Sequence, residues 1–235
     1  MSNSVIPADQ INCPVGEASC IVIEHLQEAR TALAKLDEEV RTDSLTGLYN
    51  FRHFQQALAQ EMERTRRVGH SMALMMVDLD FFKKVNDSWG HEVGNQALKS
   101  TAKILKNMTR QLDIACRYGG EEFAVILPAT EPAMALQVAE RVRKTVESTS
   151  VMADKEDIGL TASIGVAFYD AMNALTENAF IDAADQCLYR AKNQGRNCVV
   201  MDVQKAENHA VSFDEREALI GLFGNDNYDG DIEDE

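Results

Sequence analysis

Three acidic residues stand where they could do chemistry: Asp78, Glu121 and Glu122. Asp78 follows the continuous apolar run Met72-Ala73-Leu74-Met75-Met76-Val77, which reads as a strand buried on both faces, so its carboxylate surfaces where a core strand ends. Glu121 and Glu122 stand in Gly119-Gly120-Glu121-Glu122, a hairpin signal between the short apolar runs Ile114 to Tyr118 and Phe123 to Leu127. If those strands are neighbours, the three carboxylates converge at one edge of a sheet. Clustered carboxylates repel one another unless cations neutralise them, and hard oxygen ligands with room for water suit Mg²⁺ bound together with a triphosphate. Two such ions could activate an attacking hydroxyl and stabilise a leaving pyrophosphate. The two glycines would let backbone approach a large ligand closely. Taken alone, such a segment is a solvated turn; its weight comes from the other motifs in the chain.

The positioning elements can be read along the sequence. Residues 1–17 form an arm broken by Pro7, Pro14 and Gly16. In residues 18–42 the apolar positions Val22, Leu26, Ala29, Leu33, Leu36 and Val40 alternate at spacings of four and three, a seam of about three heptads. Two readings fit this stalk: an amphipathic helix packed on its own domain, or a short parallel coiled coil that pairs two chains. Turn-forming residues Asp43 to Asn50 end it. Helices are expected over about 51–68, 93–108, 131–149 and 180–193, with further strands over 160–169 and 198–203. The order β-α-β-β-α-β-α-β predicts an α+β domain over 43–204, a mostly antiparallel central sheet flanked by helices.

Composition narrows the classes. Apolar residues make up 45% of the 235-residue chain, enough for a real core. The net charge of −15 argues against a nucleic-acid polymer as partner. No apolar run approaches the length of a membrane span, and residues 1–10 lack the basic-then-apolar pattern of a signal peptide. Five cysteines, Cys13, Cys20, Cys116, Cys187 and Cys198, include no C-x-x-C pair and fit reduced thiols in the cytoplasm. Residues 206–235 carry ten acids and one base, and the segment 205–235 reads as an acidic, disordered tail. Within it, Asn225 to Ile232 echoes the first part of an EF-hand loop, but the chain ends before the twelfth-position Glu.

The motifs together resemble the GGDEF family of diguanylate cyclases, which condense two GTP into cyclic di-GMP. The resemblance runs over roughly residues 40–203. It is carried by Asp43-Ser44-Leu45-Thr46-Gly47-Leu48-Tyr49-Asn50, Asp78-Leu79-Asp80-Phe81-Phe82-Lys83-Lys84-Val85-Asn86-Asp87 and Gly90-His91-Glu92-Val93-Gly94. Arg117-Tyr118-Gly119-Gly120-Glu121-Glu122-Phe123, Ser163-Ile164-Gly165-Val166 and the stretch from Ala184-Asp185 to Gly195-Arg196-Asn197 follow in order. The resemblance implies a nucleotidyl-cyclase palm-like fold, a dependence on Mg²⁺ or Mn²⁺, and a homodimer in which each subunit holds one GTP. Asp78 and Glu122 would ligate metal with the Leu79 carbonyl, and Glu121 would serve metal and catalysis. Backbone at Phe81 and Phe82 would bind phosphate, beside Lys83. Lys192 and Arg196 would neutralise the terminal phosphates, and Asn86 would contact the guanine edge, near His91. It also implies an inhibitory product site at Arg110 and Asp113, with Arg141 as a secondary contact.

Two positions depart from the family pattern. Asn95 stands where the family usually has Asp, so one of two acceptors for guanine N–H groups is lost. Phe51 replaces the first Arg of the common Asn-Arg-Arg continuation. The rival reading is a catalytically silent module that senses GTP or cyclic di-GMP and signals by protein contact. Residues 1–40 are too few for a full sensory domain, which points to product, to dimerisation, or to a regulatory protein that binds the stalk 18–42 or the acidic tail.

Overall fold

The structure, a computed structural model, describes residues 21–153, 156–172 and 175–202, with the side chains of residues 21, 22 and 33–39 outside the description. The arm 1–17, the start of the stalk at 18–20 and the tail 205–235 with its EF-hand echo lie outside the described residues.

The apolar run at Met72 forms β1 (Met72–Leu79), and all eight of its residues are buried. Side chains alternate across a strand, so β1 feeds two cores. Ala73, Met75, Val77 and Leu79 join α3 (Phe82–Met108) and α4 (Pro132–Glu147) on one face of the sheet. Met72, Leu74 and Met76 join α2 (Phe51–Val68) and α5 (Glu177–Asn193) on the other. Each such side chain contributes about 1.5–3 kcal/mol on burial. A slip of one residue would exchange the two sets, so the register of β1 is strongly fixed.

That register places the chemistry. The five-stranded sheet has the order β2-β3-β1-β6-β7, with β2 (Ile114–Arg117), β3 (Glu122–Leu127), β6 (Ala162–Tyr169) and β7 (Val199–Met201). β1 pairs antiparallel with β3 and β6, β2 pairs antiparallel with β3, and only β6–β7 is parallel. The expected mostly antiparallel α+β sheet flanked by helices is what forms. The parallel pair follows from α5, which carries the chain across the sheet face between β6 and β7.

Two elements differ from the sequence reading. Helix α3 begins at Phe82 rather than near Val93 and is broken at Gly90 (φ 82°, ψ 164°), so it is two helical segments joined by a kink. A separate two-stranded ribbon, β4 (Ser150–Ala153) with β5 (Glu156–Gly159), fills the stretch before β6. Its strands are short and only one face is covered, which leaves too little periodicity to read.

Helix α1 (Ile21–Arg41) forms the stalk, and its seam residues Leu26 and Val40 are 48% and 55% exposed. Asn50 ties it to the domain. The Asn50 side-chain amide donates to the carbonyls of Val40 and Thr42, and its oxygen caps α2 by accepting from the His53 amide. Such caps contribute about 0.5–2 kcal/mol.

Candidate active site

Asp78 and Glu122 are direct partners across β1 and β3. The turn between β2 and β3 closes through the Tyr118 and Gly119 amides, which donate to the Glu122 carbonyl at 2.8 and 3.1 Å. The next link runs from the Leu79 amide to the Glu121 carbonyl at 3.3 Å. The Glu122 carboxylate folds over Gly119, where an added Cβ would lie 2.6 Å from Oε2. A side chain at Gly119 would push the Glu122 carboxylate from this position, and Gly120 has open space above it. The convergence of Asp78, Glu121 and Glu122 anticipated from the sequence is a consequence of strand register.

The electrostatics follow from the crowding. Burial pushes the Asp78 carboxyl up; Lys192 opposes this, and Glu122 and Asp80 add to it. Burial and then Asp78 push Glu121 up, again against Lys192. Lys192 Nζ, projecting from the last turn of α5, lies 2.8 Å from Asp78 Oδ2. The place at Asp78 therefore already attracts a cation, and an ammonium meets that demand from within the chain. Among the described residues no three His, Cys, Asp or Glu side chains are gathered closely enough to hold a metal alone. Two facing carboxylates at a backbone-lined edge instead suit a small hard cation that keeps waters and shares substrate phosphate oxygens.

Asp80, one residue past β1, does something different. It is buried, and its oxygens accept from Ser163 Oγ at 2.7 Å, Thr161 Oγ1 at 2.9 Å and the Asn197 amide at 3.0 Å. The sequence marks it only as a second carboxylate at a strand end; its partners lie 81, 83 and 117 residues away. Phe81, which follows, has φ 57° and begins α3. Its exposed ring carries the Arg196 guanidinium 4.7 Å from the centroid and Lys84 Nζ at 5.7 Å. Phe82 is buried and Lys83 exposed on the first turn. Phe81, Phe82 and Arg196 are thus brought together beside Asp78 and Lys192.

The residues expected at the base lie on α3 either side of its kink. An added Cβ at Gly94 would overlap the Asn86 amide oxygen, so Gly94 lets the second segment of α3 close over Asn86. Asn95 is the next residue, half-buried, and His91 is exposed one turn earlier.

Arg117 and Asp43, far apart in the sequence, meet in the structure. The Asp43 Oδ1 atom accepts from the Thr46 amide and hydroxyl, and Arg117 Nη1 reaches the same carboxylate. Burial alone would lift the Asp43 carboxyl; the Thr46 hydroxyl and amide and the Arg117 guanidinium outweigh it and hold the group below its ordinary value.

Arg110, Asp113 and Arg141 sit apart from the carboxylates, at the far end of β2, a strand of four residues and so about 13 Å of rise. The Arg110 amide donates to Asp113 Oδ2 at 2.7 Å, and burial raises the Asp113 carboxyl against the pull of Arg110 and Arg141. Both line a cleft of about 470 Å³ with Arg41, Lys106 and the turn at Gly47. Arg141 donates to the Met108 carbonyl at 2.6 Å.

The family model described as "Diguanylate cyclase, GGDEF domain" matches residues 40–198. The chain belongs to the GGDEF diguanylate cyclase family. Among curated GGDEF relatives, diguanylate cyclase A of Treponema denticola is 39% identical over 171 residues, 72% of this chain and 46% of that protein. The response regulator PleD of Caulobacter vibrioides is 42% identical over 161 residues, 68% of this chain and 35% of that protein. The chain therefore spans half or less of the length of these relatives. Among solved structures, Pseudomonas aeruginosa diguanylate cyclase SiaD in complex with its activator SiaC superposes with a TM-score of 0.69 at 38% identity, over 77% of this chain and 69% of that one. The coiled coil and GGDEF domain of Caulobacter crescentus DgcB, in complex with c-di-GMP, gives 0.71 at 27% identity, over 76% and 94%.

Proposed function

We propose that this chain is a diguanylate cyclase whose catalytic unit spans 43–204. The observation that carries the reading is Asp78 facing Glu122 across β1 and β3, with Lys192 on Asp78. In the reaction the 3′-hydroxyl of each GTP attacks the α-phosphorus of the other. Two 3′–5′ phosphodiester bonds form, two pyrophosphates leave, and each hydroxyl proton passes to a carboxylate or to water. Asp78 and Glu122, with the Leu79 carbonyl and Glu121 beside them, are the groups that would hold Mg²⁺ or Mn²⁺. That cation supplies charge neutralisation and a lowered hydroxyl pKa when bound.

The chain's own groups do the rest. Lys192 and Arg196 take the terminal phosphates as charge-assisted donors. The backbone at Phe81 and Phe82, at the start of α3, offers N–H groups to phosphate oxygens, with Lys83 alongside. Asn86, kept in place under Gly94, reads the guanine edge with Asn95, and His91 borders it. One copy holds one GTP, so turnover needs two copies facing each other. A homodimer joined through the stalk fits the exposed Leu26 and Val40, and the coiled coil in the solved DgcB fragment supports that arrangement.

Cyclic di-GMP would bind back at Arg110, Asp113 and Arg141 and inhibit, in line with the c-di-GMP complex of DgcB. A regulatory protein that engages the stalk 18–42 is supported by the solved complex of SiaD with its activator. GTP supply and reduced thiols suit a cytoplasmic location, and no described helix is long and apolar enough to cross a membrane.

Purified chain incubated with GTP and Mg²⁺ or Mn²⁺ should yield cyclic di-GMP by mass spectrometry, with a rate per subunit that rises with protein concentration. Glu122→Ala should abolish it. Binding of GTP without any product, with or without lysate added, would instead favour the silent sensing module.

A further inference from the structure

Arg196 and Asn197 are consecutive non-glycine residues with φ 64° and 47°, a backbone region that L side chains rarely adopt. Asn tolerates it; a long cationic residue before it has no such preference. The Arg196 amide donates to the Ala191 carbonyl at 3.1 Å, and three hydrogen bonds to two separate elements hold Asn197. The Asn197 amide donates to Asp80 Oδ2 at 3.0 Å. Its side-chain oxygen accepts from Arg143 Nη1 at 2.9 Å, and its Nδ2 donates to Glu147 Oε1 at 2.7 Å. Arg143 is fixed in turn by Glu140 at 3.0 Å and Glu147 at 2.9 Å, and its side chain is 13% exposed. This is a connected network between α4 and the end of β1, not an isolated surface pair.

The network determines where the neighbouring guanidinium can go. With Asn197 clamped, Arg196 leaves the turn in one direction and lies over the Phe81 ring, 4.7 Å from its centroid. Phe81 also has a positive φ, and it directly follows Asp80, whose carboxylate grips the Asn197 amide. One carboxylate thus fixes both walls of the phosphate-facing corner, the backbone at Phe81 and the side chain of Arg196.

We infer that Asn197 is a positioning residue, acting through Arg196 on the triphosphate of the substrate, with Arg143 and Glu147 of α4 as its anchors. This rests on the cyclase reading above. Pre-setting a flexible cation removes the ordering cost that substrate binding would otherwise meet. Loss of the clamp should therefore weaken substrate binding more than it slows chemistry.

Kinetics of cyclic di-GMP formation by the full chain with GTP and Mg²⁺ test this, using Asn197→Gly, Arg143→Ala, Arg196→Ala and the Asn197→Gly/Arg196→Ala double variant. Glycine adopts positive φ without strain, so Asn197→Gly removes the side-chain bonds to Arg143 and Glu147 while keeping the turn and its backbone bond to Asp80. Asn197→Gly and Arg143→Ala should each raise KM for GTP about tenfold with kcat within about threefold. In the Arg196→Ala background, Asn197→Gly should add nothing further. An unchanged KM in Asn197→Gly, or a full additive loss on top of Arg196→Ala, would overturn the inference while leaving the cyclase reading intact. If the wild type makes no product but binds GTP by calorimetry, the cyclase reading fails, and the same comparison is made on the dissociation constants. Absence of GTP binding by the wild type would overturn both.

Discussion

The Arg117 guanidinium grips the Asp43 carboxylate at 3.2 Å, and the same group donates to the Gly120 carbonyl at 2.7 Å. The turn at the exit of the stalk and the turn that carries Glu121 and Glu122 are therefore held by one side chain. Asn50 completes the join by holding the last carbonyls of α1 while capping α2. Strain applied to the stalk has a short covalent and hydrogen-bonded route to the carboxylates.

Asp43→Asn should cost about 1–2 kcal/mol at neutral pH, since it removes an ionic partner from Arg117 and weakens the Thr46 bonds. Folded Asp43 holds its carboxyl below the ordinary value, so folding favours the ionised form. The stabilisation is complete above the ordinary carboxylate range and is lost as pH falls through the lowered folded value. Urea midpoints of wild type and Asp43→Asn should differ at pH 7 and converge in strong acid. Arg117→Lys should not restore the wild-type midpoint, because one ammonium cannot span both the carboxylate and the Gly120 carbonyl.

Glu122→Gln should lower cyclase turnover about a hundredfold or more while leaving the melting temperature equal or higher. Glu122 faces the buried Asp78 in register and raises its carboxyl, so removing that charge relieves repulsion in the folded state. A matched pair of activity and thermal-melt measurements checks it; a large drop in melting temperature would mean that Glu122 is chiefly structural.

Base choice should respond to Asn95, and affinity for GTP to Gly94. Asn95→Asp restores a second acceptor and should raise the ratio of kcat/KM for GTP over ATP by about five- to thirtyfold. Gly94→Ala places a methyl against the Asn86 amide and the Phe82 ring, and should raise KM for GTP and lower the melting temperature. Competition assays with mixed nucleotides and identified products give the selectivity ratio, and GTP titrations with thermal melts check the Gly94 variant.

Cys116 is fully buried between Tyr49 and Ala124, and burial pushes its thiol up to about 12. At pH 8 only about one in 10⁴ of these thiols is ionised, so iodoacetamide should leave Cys116 unlabelled in the folded protein and label it in urea. Peptide mass spectrometry of labelled native and denatured chain distinguishes the two.

Much of this was legible in the sequence where the signal is local. The six-residue apolar run Met72 to Val77 marks β1, which the structure extends to Leu79, and the glycine pair between two apolar runs marks the β2–β3 hairpin. The meeting of Asp78 with Glu122 needs one fact more, that β1 and β3 are neighbours in this register, and the structure supplies it. The first segment of α3 did not stand out, because Lys83, Lys84, Asn86 and Asp87 dilute its apolar face and Gly90 interrupts it. The β4–β5 ribbon has four residues per strand and, among the described residues, pairs only with itself. The roles of Asp43, Asp80, Arg117 and Asn197 were out of reach for another reason. Each is defined by a partner 74 to 117 residues away, and no local pattern records such a pairing.

The ion pair between Lys192 and Asp78 has a consequence for how the site fills. One ammonium answers to two claimants: the carboxylate it now touches at 2.8 Å and the phosphate it would serve. While it stays on Asp78 a cation meets a seat already taken, and a triphosphate meets a lysine already engaged. On the cyclase reading the two binding equilibria share that side chain: a cation on Asp78 would release the lysine for phosphate, and by linkage phosphate on Lys192 would favour the cation by the same factor. The corner is, on that reading, a lock with two keys, each of which would leave the other easier to turn.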